Sequence, residues 1–151
     1  MKLTFALFFA CLSILPAFAS GISDADYART MREIDALQAR MIKMINALDK
    51  GMAAAETAKL KPEFDERLDW LRQTKVAASR VGVRNSHTKL KSARYPRCIV
   101  LRAGTLDPFL QDLTVNLALR MKGGLNTEYI YINKNMPTLW TPGAKSDACD
   151  P

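Results

Sequence analysis

The chain has 151 residues, of which 48% are hydrophobic, and it carries a formal net charge of +7. This length provides one domain with a core of its own and excludes two domains of ordinary size. The excess of positive charge favours anionic partners, and this chain is not itself a strongly acidic protein.

The first 19 residues have the organisation of an export signal. An apolar run covers residues 3–15, and the small residues Ala17 and Ala19 follow in the pattern of a cleavage site. The run is shorter than the roughly 20 residues of a transmembrane helix. We predict that residues 1–19 are removed and that the exported protein begins near Ser20, leaving 151 − 19 = 132 residues. It is expected to be secreted or periplasmic, with no transmembrane segment after cleavage.

A long amphipathic helix is predicted over residues 23–60. Ser23, with Asp26 three positions later, resembles a capping box that begins the helix. The apolar face most simply packs inside the protein, although its length leaves open that part of it contacts a second copy in a homodimer. Apolar residues recur every seven positions on this face, as one side of a helix requires: Tyr27, Ile34, Met41, Leu48 and Ala55.

Pro62 is predicted to end the first helix and to begin a second one over residues 62–81. Proline in a first turn loses only an amide that has no helical partner. Acidic residues near the start of this segment and basic residues near its end suit the helix dipole, and Gly82 provides a stop. The two segments together predict an antiparallel helical hairpin.

The helical periodicity stops after Gly82. The short apolar run at residues 98–102 predicts a strand, residues 107–122 show helical spacing, and residues 127–133 alternate as a strand does. The predicted fold class is therefore mainly α (α+β), in a single small domain over residues 20–151. The helical hairpin is followed by a strand-helix-strand unit and an irregular tail tethered by a disulfide.

Two cysteines remain after the signal is removed, because Cys11 lies within it. In an oxidising compartment, Cys98 and Cys149 most simply pair as a disulfide. Neither lies in a CxxC motif, and the single histidine, His87, does not complete a zinc site of the usual kind. We therefore predict no metal site and no cofactor.

Positive charge is concentrated in the middle of the chain, where residues 70–106 contain nine basic residues and no acidic one. Such a run attracts anions and predicts a binding surface for anionic lipid, lipopolysaccharide or an acidic protein. Nucleic acid is not favoured, because few aromatic side chains accompany the charge. The alternative is that the charge only keeps a helix end and a loop in water. The nine residues are Arg72, Lys75, Arg80, Arg84, Lys89, Lys91, Arg94, Arg97 and Arg102.

No catalytic constellation is recognisable in the sequence. His87 would have to be the base of any Ser-His or Cys-His pair, and no pair of carboxylates with glycosidase character stands out. We therefore expect a non-catalytic exported binding or assembly protein: a periplasmic adaptor, an accessory subunit of an envelope or secretion machine, or an inhibitor. A secreted effector or toxin-like protein that acts on an anionic membrane or host target is the alternative, and a small secreted hydrolase is the third.

Overall fold

A computed structural model describes residues 18, 21–84, 91–124 and 149 of the chain. These residues form three long helices, and no strand occurs among them, so the prediction of a mainly α protein is confirmed. A short 3₁₀ turn, Lys91–Arg94, precedes the last helix. The three helices are α1 (Asp24–Asp49), α2 (Ala54–Arg84) and α3 (Tyr95–Met121).

Helix α1 begins at the predicted capping residue and ends earlier than predicted. The Ser23 hydroxyl oxygen accepts a hydrogen bond from the backbone N–H of Asp26 at 3.1 Å, and the hydroxyl donates to the Asp26 carboxylate at 2.7 Å. The predicted helix over residues 23–60 is wrong at its C-terminal end, because the chain turns after Asp49. Gly51 adopts φ +87°, a left-handed conformation that favours glycine, and so allows the turn.

Helix α2 continues through the proline that was predicted to begin it. It starts at Ala54, eight positions before Pro62, and ends at Arg84 rather than at residue 81. A proline inside a helix removes the hydrogen bond to the carbonyl four residues earlier. Both Pro62 and Ala58 are exposed, so water can reach that carbonyl. The buried residues Thr57 and Phe64 on either side hold the helix in the protein.

Helix α3 replaces the first half of the predicted strand-helix-strand unit. Residues 98–102 are helical and continuous with residues 107–122, so the predicted strand is wrong. A short apolar run does not by itself distinguish a strand from a buried helix, and here the buried positions continue at helical spacing. The second predicted strand, residues 127–133, lies outside the described residues. The buried apolar side chains of α3 are Tyr95, Cys98, Ile99, Ala103, Leu106, Leu110, Leu113 and Leu117.

The helices run up, down and up. Helices α2 and α3 have the closest backbones, rather than α1 and α2 of the predicted hairpin. Small residues permit this approach, since a Cβ atom added at Gly82 would lie 3.2 Å from the Cβ of Pro96. Helix α1 lies parallel to α3, with Asp24 near Tyr95 at one end and Met52 near Arg120 at the other.

The predicted apolar face of α1 lies inside this bundle. Tyr27, Ile34, Met41 and Leu48 are all buried, whereas Ala55 is exposed on α2. The four buried residues of α1 pack with fully buried side chains from the other two helices. A homodimer through α1 would therefore have to use residues outside this face. The fully buried partners include Phe64, Leu71, Ile99, Leu106, Leu110, Leu113 and Leu117.

A disulfide closes the end of the bundle where α1 and α3 begin. Cys98 and Cys149 are paired with their Cα atoms 5.3 Å apart, which confirms the predicted bridge. The Tyr27 hydroxyl donates a hydrogen bond to the backbone carbonyl of Cys149, and its ring stacks on Tyr95 with centroids 4.1 Å apart. Residue 149 is thus held by both a covalent bond and a hydrogen bond.

Phe18 belongs to the buried apolar residues of the protein, together with Ile22 and Tyr27. Only 7% of its surface is exposed. The cleavage predicted after Ala19 would remove Phe18 and so uncover the part of the cluster that it contacts.

Candidate functional site

The nine basic residues of the predicted binding surface have different environments in the folded protein. Three of them form ion pairs with carboxylates that lie outside residues 70–106 in the sequence. Four are exposed at one end of the bundle. The backbone of Lys91 begins the 3₁₀ turn, while Lys89 lies outside the described residues, as does His87.

Asp107 neutralises part of the predicted surface. Its carboxylate accepts hydrogen bonds from Arg72 at 3.0 and 3.1 Å, and Lys75 lies 3.4 Å away on the same helix α2. Arg72 also donates to the side chain of Gln111. Burial tends to raise the pKa of Asp107, but the hydrogen bonds and charges of Arg72 and Lys75 outweigh it and lower the pKa below the ordinary 3.8. Arg72 and Lys75 therefore connect α2 to α3 rather than standing free for a partner.

Replacing Asp107 with asparagine should lower the free energy of unfolding at neutral pH by about 1 kcal/mol, because charge-assisted hydrogen bonds are lost at a partly exposed site. The lowered pKa fixes the sign of the pH dependence. The ionised carboxylate stabilises the protein above pH 3.8, and this stabilisation is lost as the pH falls through the lowered value. Urea unfolding of Asp107→Asn and wild type between pH 7 and about pH 2 measures this difference.

The exposed Asp112, which has no ion pair among the described residues, provides the matched control. Asp112→Asn should change stability little at any pH. A stability loss in Asp107→Asn that persists at the lowest pH would show that packing, and not the ion pairs, causes it.

Arg102 lies in the interior and not on the surface that the sequence predicted. Its side chain is 9% exposed and pairs with Asp35 of α1 at 3.3 Å. A buried cation requires such a partner, because its desolvation is otherwise costly. Arg102 therefore joins α1 to α3 and is not accessible to an anionic partner.

Four arginines remain at the end of the bundle where α2 ends and α3 begins, and we call this group the basic end: Arg80, Arg84, Arg94 and Arg97. All four are exposed. The close approach of Gly82 and Pro96 places the two helix ends side by side. Among the described residues, no carboxylate pairs with Arg80, Arg94 or Arg97.

Exposed aliphatic side chains, which were not predicted from the sequence, accompany the basic end. Val83 is 73% exposed, Leu101 57% and Val76 47%. Of these three, Val83 lines an open depression of about 580 Å³, and the other described lining residues are Ser79, Arg80 and Arg84. The available signal was the seven-residue spacing of Val76 and Val83, which puts both on the side of α2 opposite the buried Leu71 and Ala78.

Comparisons with protein-family models, curated proteins and solved structures found no match to this chain. Within the described residues, no group of three or more histidine, cysteine, aspartate or glutamate side chains is placed to hold a metal ion. No helix of the same part of the chain is long and apolar enough to span a membrane.

Proposed function

We propose that this chain is an exported, non-catalytic binding or assembly protein that binds an anionic partner through the basic end. A periplasmic adaptor, an accessory subunit of an envelope or secretion machine, and an inhibitor all fit this description. The observation that carries the proposal is the group of four exposed arginines on adjoining helix ends, three of which pair with no described carboxylate. Their summed potential attracts anions and speeds association with them.

Helix stability accounts for only two of the four arginines of the basic end. Arg80 and Arg84 lie near the C-terminus of α2, where the helix dipole favours cations. Arg94 and Arg97 lie at the N-terminus of α3, where the dipole disfavours cations by about 0.3 to 1 kcal/mol each. The first turn of α3 has no acidic residue, and Arg94 makes no side-chain capping hydrogen bond. Arginines at this position cost stability, which supports a role in binding.

The basic end should retain the purified, oxidised protein on heparin, used as a soluble polyanion, at low salt. The triple variant in which glutamine replaces Arg80, Arg94 and Arg97 should elute at a lower salt concentration. It loses three positive charges that pair with no described carboxylate, and salt screens those that remain. The elution position on a salt gradient measures the effect.

A control with the same change in net charge separates the site from the overall charge. Arg32 and Lys43 are exposed on α1, and Lys59 is exposed near the start of α2. Their triple glutamine variant should elute close to wild type. Equal shifts in the two triple variants would mean that net charge alone causes retention, and the proposed surface would be wrong.

A further inference from the structure

The basic end belongs to a larger face that α2 and α3 form together. Val76 and Val83 are seven residues, about two helical turns, apart on α2. Contacts from Gly82 to Pro96 and from Gly104 to Lys75 fix how the two helices lie against each other. Leu101 comes between residues 96 and 104, so it lies level with the segment of α2 that carries the two valines.

This face is turned away from α1. Residues of α3 that contact α1 include Tyr95 and Arg102, which bond to Asp24 and Asp35. Leu101 is exposed, and its position is about 100° around α3 from Arg102 and on the side away from the fully buried Ile99 and Leu106. On α2, the exposed Val76 and Val83 lie opposite the buried core positions. The outer face therefore presents aliphatic side chains between arginines.

Small residues make the face shallow. Gly82 of α2 lies against Pro96 of α3, and Gly104 of α3 lies against Lys75 of α2: an added Cβ atom would be 3.2 Å from the Cβ of Pro96 in the first case and 3.8 Å from a side-chain carbon of Lys75 in the second. Close backbones allow the two helices to touch one flat surface at the same time.

The sign of the charge changes along this face. Asp69 on α2 and Asp112 on α3 are exposed towards its other end, so an anionic surface is repelled there. The part that contains the basic end together with Val76, Val83 and Leu101 therefore attracts an anionic surface most strongly. This arrangement orients the protein on a surface as well as attracting it.

We infer that the anionic partner is a lipid membrane, on which the arginines of the basic end meet headgroup phosphates and Val76, Val83 and Leu101 contact the acyl boundary. The inference rests on the proposed function and names its partner. A soluble polyanion makes no use of exposed aliphatic side chains, whereas an interfacial site uses apolar area and cations together. Protein interfaces are enriched in aromatic anchors as well as in arginine, whereas the exposed large apolar side chains among the described residues are valine, leucine and methionine.

Vesicle sedimentation tests the inference with the purified, oxidised protein. Vesicles of equal parts phosphatidylglycerol and phosphatidylcholine should bind it at low salt, and vesicles of phosphatidylcholine alone should not. The double variant Val83→Ser/Leu101→Ser should bind the anionic vesicles about tenfold more weakly, because it loses the apolar contact. Its elution from heparin should remain unchanged, because all its charges are retained.

Leu119 and Met121 provide the matched control. Both are exposed, and Leu119 lies about 27 Å along α3 from Leu101. Leu119→Ser/Met121→Ser should bind vesicles as wild type does. Circular dichroism should show the same helicity for all variants, since every replaced side chain is exposed.

The outcomes separate the two proposals. Retention on heparin without binding to anionic vesicles would overturn the lipid inference and leave an acidic protein or another polyanion as the partner. Equal vesicle binding by wild type and by Val83→Ser/Leu101→Ser would show that these two side chains do not contact the membrane. Failure to bind either vesicles or heparin would overturn the proposed function as well.

Discussion

Replacement of Cys98 and Cys149 by serine should lower the free energy of unfolding by about 4 kcal/mol. The bridge joins positions 51 residues apart, and by chain entropy a loop of this length restricts the unfolded state by that amount. For a domain of this size the change corresponds to a fall of about 15 °C in Tm. Urea unfolding and a thermal melt followed by circular dichroism measure the two quantities.

Reduction of the wild-type protein should reproduce the effect of the double serine variant, since both remove the same covalent constraint. The Tyr27→Phe variant is a useful comparison, because it keeps the ring and removes the hydroxyl that donates to Cys149, which should cost about 1 kcal/mol. If reduction leaves stability unchanged, or if mass spectrometry finds two free thiols in the purified protein, the bridge does not contribute as proposed.

The largest effect expected at a single position in the region first predicted as a strand is at Ile99. In α3 its side chain is fully buried, whereas Leu101 is 57% exposed. Ile99→Ala should therefore lower the free energy of unfolding by about 3 kcal/mol, which combines lost apolar burial with the cavity that remains. Leu101→Ala should change it by less than about 0.5 kcal/mol, as is usual for exposed sites.

This pair of variants distinguishes the helix from the strand. In a strand, residues 99 and 101 point to the same face, and the two substitutions would then cost similar amounts. In the helix, Ile99 shares its face with Ala103 and Leu106, both fully buried. Similar losses at both positions, measured by urea unfolding, would contradict the continuous helix α3.

Several features were predictable because they depend on neighbouring residues. The capping residue Ser23 and the apolar spacing of Tyr27, Ile34 and Met41 fix the start and the inner face of α1. Such signals act within a turn or two of a helix. The pairing of Cys98 with Cys149 followed from the number of cysteines left after the predicted signal.

The helix boundaries at prolines were not predictable in the same way. Pro62 and Pro108 each weaken the helix locally, yet both lie inside a helix. Pro62 was predicted to begin one, and Pro108 is the second residue of the predicted helical segment 107–122. The buried side chains on both sides of each proline outweigh that cost. How many side chains are buried there depends on the packing of the three helices, which local helix propensity does not predict.

The candidate site also depends partly on the local sequence and partly on the packing of the helices. The sequence by itself determined that nine positive charges lie together with no acid among them, because this is a property of composition along the chain. Only the tertiary structure decided which of these charges remain for a partner. Asp107 lies 32 and 35 positions from Lys75 and Arg72, and Asp35 lies 67 from Arg102. Ion pairs over such separations form only when packing brings helices together, and that packing leaves the exposed arginines and aliphatic side chains on one outer face.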